Sequence, residues 1–167
     1  MLNLVLLPGF DLRAGHAGNP ADFPSQLPNF SLADPDGKTF TPSQNGGQAT
    51  VVIVTVPDMS EGGIQQNWVK AITPLSGNFN FYLIENMHKV MFGSIALGDM
   101  KKDYVEGTKP VLLVDAKGKA SEALKAPRGK TVVYVFNAQN RLLWVQIGQA
   151  SSAAVQNVSN ALSGQGN

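Results

Sequence analysis

The stretch TVVIVTV at residues 50–56, followed at once by Pro57, decides the fold of this chain. An unbroken β-branched run is typical of a strand that is buried on both faces, as in the centre of an α/β sheet. Proline has no N–H to donate to a sheet ladder, so the strand ends there. A helical pattern follows, in which Ile64, Trp68 and Ile72 share one face. The stretch therefore predicts the first half of a β-α-β unit.

The flanking sequence predicts the other elements of the domain. Two alternating segments around the turn Asp34-Pro35-Asp36-Gly37 predict an N-terminal β-hairpin. Apolar runs predict strands at 79–84, 110–115, 131–136 and 141–147, and helical spacing predicts short helices at 99–106 and 121–125 and a C-terminal helix at 152–162. This order indicates an α/β fold with a central mixed sheet that is flanked by helices.

A chain of 167 residues fits one domain. Residues 8–28 are rich in Pro, Gly, Ala and Asn and are expected to be loosely structured. Together with the first seven residues they are expected to form an N-terminal arm (1–28), and residues 29–167 are expected to form the domain. The apolar run at 2–7 and the small residues around His16 fit a leader remnant, but the first basic residue is Arg13. An ordinary extension that packs on the domain fits equally well.

Composition excludes several classes of function. The 13 basic and 12 acidic residues give a net charge of +1, without the basic footprint that nucleic-acid binding needs. With no cysteine and two histidines the chain offers no zinc motif, so no metal or cofactor is expected. No apolar run reaches the ~18 residues of a membrane span.

Three segments resemble the redoxin and peroxiredoxin (AhpC/TSA) group of the thioredoxin-like superfamily. They are LPNFSLADPDGK at 27–38, PVLLVDAKGK at 110–119 and TVVYVFNAQNRLLWVQIG at 131–148. The stretch from Lys101 to Tyr104, which runs into 110–118, is also similar to the YtfJ-type periplasmic proteins. The resemblance implies a thioredoxin-like fold, and the second likeness implies a periplasmic or secreted protein with a non-redox role. Without export the protein would be cytoplasmic.

The departures from these families concern their reactive groups. The P-x-x-x-T-x-x-C motif of peroxiredoxins, counted from Pro57, puts Glu61 at the threonine position and Ile64 at the cysteine position. The C-x-x-C motif of thioredoxins is absent from the same strand–helix junction, and Thr131 stands near the position of their cis-proline. Because the thiolate is the nucleophile of these families, thiol-dependent peroxidase and disulfide chemistry are excluded for this chain.

The junction between the first buried strand and its helix is the first candidate site. A helix N-terminus favours anions, and the glycines at 62 and 63 would let a ligand approach the backbone. Ser60 and Gln65 could donate hydrogen bonds, whereas Glu61 would itself satisfy the helix dipole. In the alternative interpretation, Ser60 and Glu61 simply cap the helix.

The second candidate is a basic cluster just before Thr131. Arg128 or Lys130 could meet Glu61 or a bound anion, although a solvated charged face is the alternative. The cluster consists of Lys117, Lys119, Lys125, Arg128 and Lys130.

The sequence therefore predicts a non-catalytic module that binds an unknown protein partner or a small anionic ligand at the former active-site face. The predicted ligand-binding residues are Ser60, Glu61, Gly62, Gly63, Gln65, Arg128, Lys130 and Thr131. One alternative is a non-redox enzyme that uses Glu61 or His88 as an acid or base, with His88 paired to Glu85. Another is a structural or assembly subunit, which could form a homo-oligomer.

Overall fold

The computed structural model describes residues 15–56, 61–88, 90 and 109–164. Its strands are β1 (His16–Ala17), β2 (Leu32–Ala33), β3 (Thr39–Phe40), β4 (Ala49–Thr55), β5 (Phe79–Asn86), β6 (Val111–Asp115), β7 (Val132–Phe136) and β8 (Leu142–Ile147). Its helices are α1 (Gly62–Ile72), α2 (Lys119–Ala123) and α3 (Ser152–Ser163). The helix predicted at 99–106 lies outside the described residues.

All eight strands form one mixed sheet, in the order β1-β8-β7-β4-β5-β6-β2-β3. Strands β4, β5 and β6 run parallel, whereas β7 pairs antiparallel with β4. The predicted central strand is confirmed, because every residue of β4 is buried. Strands β2 and β3 form the predicted N-terminal hairpin, and β2 adds it to the sheet beside β6. The α/β fold with a mixed central sheet is thus confirmed.

Two apolar layers cover the two faces of the sheet. On one face, Trp68 and Ile72 of α1 and Val158 of α3 pack against the odd-numbered positions of β4. On the other face, Leu124 at the end of α2 packs with Tyr134 of β7. Neighbouring strand residues therefore serve different layers, since successive side chains point to opposite faces.

The described part of the N-terminal arm belongs to the domain. Strand β1 pairs antiparallel with β8, and the side chains of Phe23 and Leu27 are buried. The Phe23 ring makes an edge contact with Tyr134, with 5.7 Å between ring centroids. The loose arm expected from composition is therefore wrong for residues 15–28, because their few apolar side chains cover the second layer.

The parallel strands bring their carboxyl ends to one edge of the sheet. The chain leaves β4 at Val56 and β5 at Met87 at this edge, and it enters β7 there from Thr131. We call this edge the carboxyl edge. Both predicted site regions, the strand–helix junction and the loop before Thr131, lie along it.

Candidate functional site

Glu61 lies at the start of α1, after the junction with β4. It is the N-cap residue of α1 and is 6% exposed, but its side chain does not cap the helix. Its Oε2 instead accepts hydrogen bonds from the backbone N–H and the hydroxyl of Thr131, at 2.8 and 2.7 Å. The sequence suggested Ser60 as the N-cap of α1, whereas in the structure the N-cap is Glu61. Ser60 lies outside the described residues.

Thr131 links this contact to the sheet. Its hydroxyl oxygen lies 3.0 Å from that of Thr55, the last residue of β4. Because the Thr131 hydroxyl proton is already donated to Glu61, the Thr55 hydroxyl donates to Thr131. Both threonines are fully buried. A chain of hydrogen bonds thus crosses the carboxyl edge from α1 to the central strand.

Glu85 lies beside Thr55 on the neighbouring strand β5. It pairs in register with Thr55, so the two side chains point to the same face of the sheet. The Glu85 side chain is 0% exposed, and neither carboxyl oxygen makes a hydrogen bond of ordinary geometry, although the Gln65 side chain of α1 is close enough to interact with it. Burial raises the pKa of this carboxyl from 4.5 to about 8, and the nearby Gln65 amide of α1 opposes the shift only in part. Burial therefore favours the protonated, neutral form of Glu85.

These buried polar side chains form one layer beneath the first turn of α1, which we call the polar layer. Each member is at most 6% exposed. Its members are Thr55, Glu61, Gln65, Glu85 and Thr131.

Ile64 lies in the first turn of α1, three residues after Glu61, which is the spacing of a C-x-x-C motif. Its half-buried side chain packs against the apolar layer under α1. Gly62 and Gly63 separate the two residues, and a Cβ added at Gly63 would meet no described atom within 4 Å. Ile64, which the resemblance puts at the cysteine position of the peroxiredoxin motif, is thus an aliphatic side chain in the first turn of α1.

A separate cleft opens at the carboxyl edge on the side of α2. Its volume is about 550 Å³, within the range of small-molecule sites. Three basic side chains line it: His88 after β5, Lys117 after β6 and Arg128 before β7. All three are exposed to solvent. We call this space the carboxyl-edge cleft.

Local hydrogen bonds fix the loops that form this cleft. The Asn86 side-chain oxygen accepts the His88 N–H at 3.0 Å, which orients the turn after β5. Asp115 accepts the N–H and the hydroxyl of Ser121, both at 2.8 Å, which anchors the start of α2. Gly118 has a φ of +70°, and a Cβ there would lie 3.0 Å from that of His88. The His88 and Gly118 loops can approach this closely because residue 118 is glycine.

The structure divides the predicted site residues between these two places. Glu61, Gln65 and Thr131 lie in the polar layer, and Arg128 lines the carboxyl-edge cleft. Lys130 is exposed, as are the other members of the basic cluster, and only Lys117 and Arg128 of that cluster line the cleft. Within the described residues, no three His, Asp or Glu side chains are grouped so that they could hold a metal ion.

The predicted pairing of His88 with Glu85 does not form. Glu85 lies under α1, whereas His88 lines the cleft on the other face of the sheet. The sequence analysis named Glu85 only as a partner of His88. It did not predict that Glu85 is buried beside Thr55 of the neighbouring strand. The one carboxylate in the mostly apolar strand Phe79–Asn86 was the signal that could have found it.

None of the helices in the described ranges has the length and apolar content that crossing a bilayer requires. Leu143 is the large apolar side chain that is exposed there, at 40%. An isolated exposed leucine does not make an apolar docking patch.

Comparisons with known proteins identify the fold. No family model matches the chain, and no curated protein matches its sequence. A putative thioredoxin from Neisseria meningitidis superimposes with a TM-score of 0.66 at 18% identity, over 86% of this chain and 94% of that one. A putative thiol:disulfide interchange protein DsbE from Chlorobium tepidum gives 0.64 at 14% identity, over 83% and 96%. The exposed lipoprotein thioredoxin of Streptococcus pneumoniae gives 0.62 at 14% identity, over 80% and 98%.

These likenesses show a thioredoxin-like fold, as the resemblance implied. The chain builds this fold with no cysteine among its 167 residues.

Proposed function

We propose that this cysteine-free thioredoxin-fold protein is a non-catalytic binding module that holds a small anionic ligand in the carboxyl-edge cleft. The observation that carries the proposal is the convergence of His88, Lys117 and Arg128 on one space of about 550 Å³. These residues come from three different loops, so the convergence is a property of the fold and not of a local run of charge.

The charge of the lining favours an anion. Lys117 and Arg128 supply two positive charges, and Glu122 is the acidic side chain among the described lining residues. A planar guanidinium can hold a carboxylate or phosphate through two parallel hydrogen bonds, and a lysine adds a compact charge. The cleft is open to solvent, so the affinity for a singly charged ligand is expected to be modest.

The Glu61 carboxylate favours binding at the cleft over binding at the helix N-terminus. It is bonded to Thr131 beside the first turn of α1, so an anion at this helix end would meet a like charge. Of the residues predicted for binding, we retain Arg128 as a direct contact. Glu61, Gln65 and Thr131 are proposed to position the edge of the cleft, because Thr131 follows the loop that carries Arg128.

Calorimetric titration with inorganic phosphate and with citrate, at low ionic strength, tests the proposal. We expect Arg128→Ala and Lys117→Ala each to weaken binding about tenfold or more, since a charge-assisted hydrogen bond contributes about 1.5–3 kcal/mol. The matched controls are Lys119→Ala and Lys125→Ala, which remove exposed cations outside the lining. They should change the affinity less than twofold.

Two results would reject the proposal. One is no heat of binding for either anion at millimolar concentration. The other is an equal loss of affinity in all four variants, which would indicate attraction to the general basic surface. Binding of acidic peptides without binding of the free anions would instead identify a protein partner.

We also propose that the protein works outside the cytoplasm. The absence of cysteine suits an oxidising compartment, and the 15% share of charged residues fits an exported protein. One protein of similar structure is an exposed lipoprotein thioredoxin. Fractionation of the native cells tests this localisation, and recovery in the cytoplasmic fraction would exclude it.

A further inference from the structure

The polar layer contains a carboxyl group with no partner for its charge. Both oxygens of Glu85 are buried and make no hydrogen bond of ordinary geometry, and the side chain that interacts with them from α1 is the neutral Gln65. An ionised carboxylate in such a place is costly, whereas the neutral acid is tolerated. The charge state of Glu85 is therefore coupled to whether water can reach its carboxyl group.

None of the described groups beside Glu85 carries a positive charge. Strand β4 presents Thr55 and strand β6 presents Val114 in register with Glu85. Helix α1 contributes the neutral amide of Gln65. The other titratable group of the polar layer is Glu61, which is linked to Thr55 through Thr131 and would add a second negative charge. Among the described residues, no lysine, arginine or histidine belongs to the layer.

The first turn of α1 lies over the polar layer. Two glycines, at 62 and 63, begin α1, and glycine carries a large entropic cost in a helix. The side chain of Glu61 ties this first turn to Thr131. Strands β4 and β5, by contrast, are joined along seven paired positions. Of the described elements beside Glu85, the first turn of α1 is therefore the one that can move at the lowest cost.

We propose that the Glu61–Thr131 contact is a latch over the polar layer, and that ionisation of Glu85 releases it. With Glu85 protonated, the first turn of α1 stays closed against the sheet. With Glu85 ionised, the turn opens and water solvates the carboxylate. The release is independent of whether the carboxyl-edge cleft binds an anion.

The pH at which the latch releases has two limits. A carboxyl that becomes fully solvated titrates near 4.5, and one that stays buried titrates near 8. If ionisation is coupled to opening, the midpoint falls between these values. It moves toward the lower value as the closed turn becomes easier to open.

Amide hydrogen exchange followed by NMR tests the latch. The reporters are the N–H of Thr131, bonded to Glu61 Oε2, and the N–H of Gln65, bonded to the Glu61 carbonyl. After correction for the intrinsic pH dependence of exchange, we expect their protection to fall at least tenfold from pH 4.5 to 9. The amides of Val133 and Val135 in β7 should keep their protection, which distinguishes local opening from global unfolding.

Glu85→Gln keeps the size of the neutral acid and cannot ionise, so it should remove the transition. Glu85→Met is a second variant for the case in which the glutamine variant does not fold. Asp22→Asn, at an exposed acidic residue outside both the polar layer and the cleft, is the matched control and should behave as the wild type. A wild-type protein without the transition, or a Glu85→Gln variant that retains it, would overturn the proposal.

Discussion

Replacing Glu85 with glutamine should change how the free energy of unfolding depends on pH. In the folded protein, burial raises the pKa of this carboxyl to about 8, against 4.5 for the exposed group. The folded state thus holds the proton more tightly than the unfolded state. The stability that this provides is fully present below pH 4.5 and is lost as the pH rises to about 8.

The size of the effect follows from the same two values. A difference of about 3.5 pH units corresponds to about 5 kcal/mol, at 1.36 kcal/mol for each unit. This is an upper limit. Once the first turn of α1 opens and water solvates the carboxylate, a further rise in pH no longer lowers the free energy of unfolding through Glu85. Even half of it is large beside the 5–15 kcal/mol by which folded domains are stable.

Urea unfolding at pH 4.5, 6, 7.5 and 9 measures the effect. The wild type should lose stability relative to Glu85→Gln by about 2–5 kcal/mol across this range, with most of the change below pH 8. Comparison with the variant cancels the contributions of the other titratable groups. A stability difference between the two proteins that is the same at pH 4.5 and pH 9 would refute the reasoning.

Three further predictions concern the latch, the arm and the cleft. Thr131→Val removes the hydroxyl that donates to Glu61 and accepts from Thr55, and it should lower the free energy of unfolding by about 1–3 kcal/mol in urea titrations; no loss would show that the contact does not form in solution. Phe23→Ala should cost about 3–5 kcal/mol if the arm is part of the core, and a cost below 1 kcal/mol would detach residues 15–28 from the domain. Gly118→Ala forces a side chain into a backbone with φ of +70° and 3.0 Å from the Cβ of His88. It should lower the melting temperature and weaken phosphate binding in calorimetry, and unchanged binding would show that this approach does not shape the cleft.

The sequence predicted those parts of the fold that depend on local pattern. The β-branched run at 50–56 predicted β4, because an unbroken succession of β-branched residues favours a strand that is buried on both faces. The spacing of Trp68 and Ile72 likewise predicted the buried face of α1. The turn at Asp34–Gly37 predicted the hairpin of β2 and β3, because its residues favour turn conformations.

The site was less predictable because it depends on contacts between distant residues. Ser60 has the better N-cap side chain, but the acceptor that matters at this junction is Glu61, whose donors lie 70 residues later. The row of Thr55 and Glu85 follows from strand register, which the residue types alone do not give. The sequence named His88 and the basic cluster as separate candidates, and only the meeting of three loops makes them one cleft.

The bond between Glu61 and Thr131 also has a consequence for protein engineering. A proline at position 131 would have neither the N–H nor the hydroxyl that holds this carboxylate, and a thiol at position 61 would leave both Thr131 donors poorly matched. The two residues are therefore a mutually dependent pair. Installing disulfide chemistry in this scaffold requires exchanging both together, in addition to a second sulfur at position 64.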